Sequence, residues 1–160
     1  MSHPYRSFEP NWVRGEFPKD SYRSIFKWGE MTQIKPPRES LYRLVKEKLG
    51  LDDAYFSEYR ENLGLDAVAF DVPISLTEAQ LAAFRSIVGS DYVRTDDYAR
   101  ISVAYGKTMY DLLRLRNHIV ENIPDAVLYP DTKEQIEAIV AYCAKQKIPV
   151  YVYGGGSSVT

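Results

Sequence analysis

Between Ala126 and Tyr153 the sequence changes its apolar period twice, and that alternation restricts the fold more than any other feature. Ala126, Val127, Leu128 and Tyr129 make a short apolar run closed by Pro130, the pattern of a strand. Thr132 follows as an N-cap, with Gln135 three residues on to complete a capping box. Ile136, Ile139, Val140 and Cys143 then recur at i, i+3, i+4 and i+7, which predicts an amphipathic helix. Pro149 opens a second run, Val150-Tyr151-Val152-Tyr153, that reads as a buried strand. Strand, helix and strand in so few residues predict a βαβ unit, whose crossover is almost always right-handed.

The second strand ends in Gly154, Gly155, Gly156, Ser157, Ser158 and Val159. Open α/β sheets bind ligands at that carboxyl edge. Glycines lack Cβ, so the backbone can adopt positive φ and a ligand can lie against the amides. Successive N–H groups in such turns converge on an anion, and the two serines add hydroxyl donors. A phosphate or pyrophosphate suits that arrangement. A bare glycine triplet also suits a flexible linker or a tight turn, and its place after a βαβ strand is what favours phosphate. Two phosphate motifs drop out by counting. A G-x-G-x-x-G fingerprint from Gly154 needs a small residue where Val159 stands, and it belongs after the first strand of the unit. Gly106-Lys107-Thr108 imitates the end of a Walker A loop, but Ile101 occupies the position of that motif's first glycine. Thr108 reads instead as the N-cap of a helix carrying Leu112, Leu113 and Leu115.

Upstream the chain divides in two. Residues 1–37 hold Pro4, Pro10, Pro18, Pro36 and Pro37 and many aromatics, among them Tyr5, Phe8, Trp12, Tyr22 and Trp28, without a sustained period. They predict an extended arm docked through its rings, since free tails are poor in aromatics. Residues 38–122 read as a helical region. Leu41, Leu44, Val45 and Leu49 share a face before Gly50, which is placed to end the helix. After Pro73, Ser75 and Glu78 have capping-box spacing, and Leu81, Phe84, Ile87 and Val88 follow before Gly89. Residues 66–72 fit a short strand or a loop. The expected class is therefore α+β: an arm, helices, and a βαβ over residues 123–160.

Composition excludes several functions. A formal charge of −2 leaves no basic footprint for nucleic acid. No apolar run approaches the ~20 residues of a membrane span, and no apolar leader follows Met1. One cysteine cannot form an internal disulfide, and two histidines cannot build a His-rich metal site. A cytoplasmic setting is the default expectation. Cys143 lies on the apolar stripe and reads as packing. Arg94, Arg100, Lys107, Arg114 and Arg116 invite a phosphate-binding patch, but Asp96, Asp97 and Asp111 balance them as an ordinary solvated set. His118 reads as a helix-end residue.

The stretch "IPDAVLYPDTKEQIEAIVAYCAKQKIPVYVYGGGSSVT" resembles the first βαβ of the flavin domain in FAD-linked oxidases of the vanillyl-alcohol-oxidase type. That family reads P-x-x-V-x-x-P, a helix, then a strand ending in P-x-G-G-G-T-S-V. With "YARISVAYGKTMYDLLRLRNHIVENIPDAVLYP" and "FKWGE" upstream, the chain resembles the alkylglycerone-phosphate synthase branch. The resemblance is carried most specifically by residues 94–160. It implies that Gly154, Gly155, Gly156, Ser157, Ser158 and Val159 line the pyrophosphate of FAD. Val152 stands where the family has proline and Ser157 where it has threonine. Some relatives link the flavin covalently through a histidine at the Ser157 position, so non-covalent FAD is implied here.

Members of that family run to several hundred residues, so residues 123–160 are expected to be an incomplete start of the FAD-binding domain. The catalytic tyrosine and histidines, and the domain binding the small-molecule substrate, are then expected downstream, with no catalytic residue in these 160. The parent is expected to be an FAD-dependent oxidoreductase acting on a hydroxy acid or alcohol. The alternative is a synthase-type flavoenzyme exchanging acyl for alkyl in ether-lipid synthesis. A third class is a non-catalytic binding or assembly module, and self-association into a homo-oligomer is open in each.

Overall fold

The computed structural model describes residues 18–26, 38–57 and 64–156. The chain divides into two compact units, Met1–Ala67 and Val68–Thr160. The described part is mostly helical, with one two-stranded antiparallel sheet.

In the first unit, α1 (Tyr22–Phe26) is a short helix inside the stretch read as an extended arm. Ser21, Tyr22, Ser24 and Ile25 are buried there. The amides of Tyr22 and Arg23 donate to the carbonyls of Asp66 and Gly64 at 3.2 and 2.6 Å, and Ser21 bridges Ala67. Residues 66–72 thus carry a single bridge at Ala67 and are otherwise loop. Helix α2 (Glu39–Leu49) ends at Gly50 with φ 64°, the left-handed cap that glycine adopts without a Cβ clash. Its apolar stripe is not a core face, because Leu41, Leu44 and Leu49 stay exposed. What joins α2 to α3 (Asp53–Ser57) is polar. The Tyr42 hydroxyl and the Lys46 ammonium both donate to Asp53 Oδ1, at 2.6 and 2.5 Å, and these bonds hold the Asp53 carboxyl below its usual range.

Among the described residues, the larger buried cluster lies in the second unit. Helix α4 (Glu78–Val88) starts two residues later than the Ser75/Glu78 spacing predicts. Thr77 is the N-cap, and with Gln80 it forms the reciprocal box, while the Ser75 amide donates to Asp125 at 2.9 Å. The predicted Ser75/Glu78 box does not form, because the Asp125 carboxylate accepts from the Ser75 amide that Glu78 would have bonded. A 3₁₀ turn over Ser90–Tyr92 leads into β1 (Val93–Arg94). Helices α5 (Asp97–Ser102) and α6 (Met109–Arg116) follow, capped by Asp96 and Thr108. Then come β2 (Val127–Leu128) and α7 (Lys133–Gln146). Leu81, Phe84 and Val88 of α4 pack with Val93 of β1 and with Ile139 and Cys143 of α7. The Phe84 and Tyr142 rings meet edge to face at 5.3 Å.

The expected βαβ is realised only in its first strand and its helix. β2 pairs antiparallel with β1, Val93 opposite Leu128 and Arg94 opposite Val127. The predicted second strand does not form. Residues 150–153 have no ladder, and Tyr151 and Val152 are 90% and 98% exposed. A strand needs a neighbour for its N–H and C=O groups, and β1 and β2 are the only paired strands among the described residues. The α7 stripe divides for the same reason. Ile139 and Cys143 are buried, whereas Ile136 and Val140 are half exposed.

Candidate functional site

The glycine loop is reached from α7 by a tight reversal. Lys147 caps the helix at φ 58°, a left-handed conformation unusual outside glycine, and the Ile148 amide donates to Cys143 O at 2.9 Å. At the other end Thr132 Oγ1 accepts from the Gln135 amide at 3.3 Å. Gln135 Oε1 accepts from the Asp131 amide at 2.7 Å rather than closing the predicted box on Thr132. Pro149 then starts a segment without regular secondary structure that ends at the glycines.

Ser157, Ser158 and Val159 lie outside the described residues, as does most of "FKWGE". Gly154 and Gly155 are exposed, and a Cβ built on either would meet nothing within 4 Å. Gly156 is the residue that needs glycine for its backbone, with φ 61°. A Cβ there would also collide with the Tyr153 hydroxyl. These residues fit a pyrophosphate in the sense that matters: two open-faced glycines admit a ligand against their amides, and a left-handed turn follows.

The basic residues upstream do not form one patch. Arg94 pairs with Asp96 at 2.6 Å and Arg114 with Asp111 at 3.4 Å, as solvated charges do. Arg100 departs from that reading. It is 2% exposed, the only buried charged residue in the described core. Its Nε donates to Pro124 O at 2.8 Å and its Nη1 to Val72 O at 3.0 Å. The guanidinium lies over the Phe70 ring at 5.3 Å, and Asp97 Oδ1 is 3.7 Å away. Asp97 Oδ2 accepts from the Phe70 amide at 3.1 Å. Arg100 and Asp97 therefore clamp residues 70–72 to the peptide just before β2. Arg100 Nη2 is buried without a hydrogen-bond partner. Ala99 and Ile101 on either side of it are buried as well.

Other candidates resolve as structure. Thr108 caps α6, its Oγ1 accepting from the Asp111 amide at 3.2 Å, so Gly106-Lys107-Thr108 is a helix entrance. Burial holds the Lys107 ammonium below its usual range. Leu115 is fully buried, while Leu113 is exposed. His118 follows α6 at φ 53° as a helix-end residue. Tyr105 fastens the next turn, donating to Ile119 O and accepting from the Glu121 amide, both at 2.8 Å. Cys143 is buried, and desolvation pushes its thiol up. Among the described residues no group of His, Cys, Asp or Glu gathers for a metal, and no helix is long and apolar enough to cross a membrane.

Residues 124–160 match the family model of an FAD binding domain. The chain is 27% identical over 171 residues to an alkyldihydroxyacetonephosphate synthase of Dictyostelium discoideum, which covers 90% of this chain and 28% of that protein. It is 36% identical over 104 residues to Protein Rv2250A of Mycobacterium tuberculosis, covering 64% of this chain and 66% of that protein. It is 38% identical over 42 residues to the mitochondrial D-lactate dehydrogenase [cytochrome] of Arabidopsis thaliana, 26% of this chain and 7% of that protein. The chain thus spans about a quarter of the synthase. No solved structure matches it significantly.

Proposed function

Since residues 124–160 belong to the FAD binding domain family and the chain has homologues named alkyldihydroxyacetonephosphate synthase over much of its length, we propose that it is the N-terminal part of a synthase-type flavoprotein. The observation that carries this is the reach of the synthase alignment. It extends over 90% of the chain, far upstream of the flavin segment, whereas the dehydrogenase alignment stops at 26%. In this reading the parent exchanges the acyl group of an acylated dihydroxyacetone phosphate for a long-chain alcohol, rather than oxidising a hydroxy acid.

The residues present would hold FAD. The amides around Gly154, Gly155 and Gly156, with the hydroxyls of Ser157 and Ser158, would receive the pyrophosphate oxygens, and Val159 would continue the cradle. When bound, FAD supplies the electrophilic ring on which this class of chemistry depends. In this reading the chain's own contribution is to anchor the cofactor. Ser157 has no imidazole with which to link the flavin, so the cofactor is held without a covalent bond. Acid or heat denaturation of the full-length holoprotein is expected to release all of its flavin. Flavin that stays on the denatured polypeptide would overturn non-covalent attachment.

A second reading has one observation behind it. The M. tuberculosis relative, 66% of which aligns here, is a protein of comparable length. A short chain of this type would act as a binding or assembly module. Titration of the 160-residue chain with FAD, followed by flavin fluorescence, separates the cases of self-sufficient and shared binding. No saturable binding at low micromolar concentration is expected, since the loop offers contacts for the pyrophosphate alone and the segment leading to it pairs with no strand. Stoichiometric binding would show that these residues make a complete site.

A further inference from the structure

The segment leading to the glycines has no ladder, yet a pyrophosphate seat must be held in place. We propose that Tyr153 is the positioning residue of the glycine loop, and through it of the FAD pyrophosphate; this rests on the flavin reading above. Tyr153 folds back over its own turn. Its hydroxyl occupies the space that a Cβ of Gly156 would take, so the ring packs on the one loop residue with left-handed backbone. The same hydroxyl donates to Ser102 O at 3.4 Å. Among the described residues this is the hydrogen bond that ties residues 150–156 to the helices.

Ser102 is the last residue of α5, two positions from Arg100. Arg100 in turn bonds the carbonyl of Pro124 at the entrance to β2. The contacts form a continuous path from the buried guanidinium through α5 to the loop. Tyr151 and Val152, flanking residues of the same type, are almost wholly exposed, whereas Tyr153 is 44% exposed. Val150 is half exposed too, at 49%, so what sets Tyr153 apart among these β-formers is its hydrogen bond to α5 and its contact at Gly156.

A double-mutant cycle in the full-length protein tests this, reading the dissociation constant of FAD. Tyr153→Phe removes the hydroxyl and keeps the ring, and is expected to weaken FAD about 3–10-fold, the value of one modest hydrogen bond. Gly156→Ala pushes the ring aside and breaks the Ser102 bond, besides straining a left-handed residue, and is expected to weaken FAD more than about 10-fold. In the Gly156→Ala background the hydroxyl has already lost its partner, so adding Tyr153→Phe is expected to change nothing further. An equal loss from Tyr153→Phe in both backgrounds, or no loss in either, overturns the proposal. A wild-type protein that binds no FAD sinks the flavin reading instead. The same cycle in thermal unfolding of the apoprotein then decides the strut. Tyr153→Phe should lower the midpoint only where Gly156 is present, and additive shifts overturn it.

Discussion

Replacing Arg100 with methionine is expected to destabilise the second unit by about 2–4 kcal/mol, the cost of leaving carbonyl acceptors without a buried donor. For a unit of this size that is a fall of roughly 10–20 °C in unfolding midpoint. Methionine fills a similar volume and restores contact with Phe70, so the loss reports the hydrogen bonds to Pro124 and Val72 more than a cavity. Arg100→Lys is expected to recover little, because an ammonium cannot reach two carbonyls in the fixed fork of a guanidinium. The buried, unbonded Nη2 offsets part of the gain in the wild type, which is why the estimate stays below that for a fully satisfied buried ion. Differential scanning fluorimetry on the three proteins checks it. A methionine variant within a degree or two of wild type would show that Arg100 is a tolerated passenger.

Gly155→Val is expected to remove FAD binding while leaving the unfolding midpoint of the apoprotein unchanged. The two readouts separate because a Cβ at 155 meets no protein atom within 4 Å. Its methyl groups would stand instead in the space through which a pyrophosphate approaches the amides. The positive φ sits at Gly156, not at Gly155, so backbone strain is not the expected cause at 155. Flavin absorbance of the purified full-length variant, together with its melting curve, provides the check. A folded variant with wild-type flavin content would remove the glycine loop from the cofactor site.

What the sequence made legible follows from how local each determinant is. Caps and periods are local, and α2, α4, α6 and α7 appear where their spacing and end residues put them, within the two-residue shift at Thr77. Which face of a helix is buried is not local. Leu41 and Leu44 have the same spacing as Leu81 and Phe84, but only the second pair is buried. The strand at residues 150–153 illustrates the same limit. Its β-branched and aromatic residues describe a segment suited to a sheet, and sheet membership requires another strand. At the candidate site, the glycines could be singled out because what they would offer a ligand is backbone chemistry. Arg100 was not, since its carbonyl partners lie 24 and 28 residues away and carry no sequence signature. Tyr153 was read as one more β-former, because its hydroxyl's destination on α5 is 51 residues upstream.

The burial of Cys143 gives this molecule a built-in clock. It is the sole thiol of the chain, on the face of α7 buried in the cluster with α4, and its protonated state is favoured there. A disulfide-exchange reagent cannot reach the sulfur until that helix pair parts, and only the thiolate reacts. The rate of labelling under native conditions therefore measures how often the core opens, with no competing signal from a second cysteine. Any ligand that closes the glycine loop on α7's trailing segment would register as slower labelling of a residue it never touches.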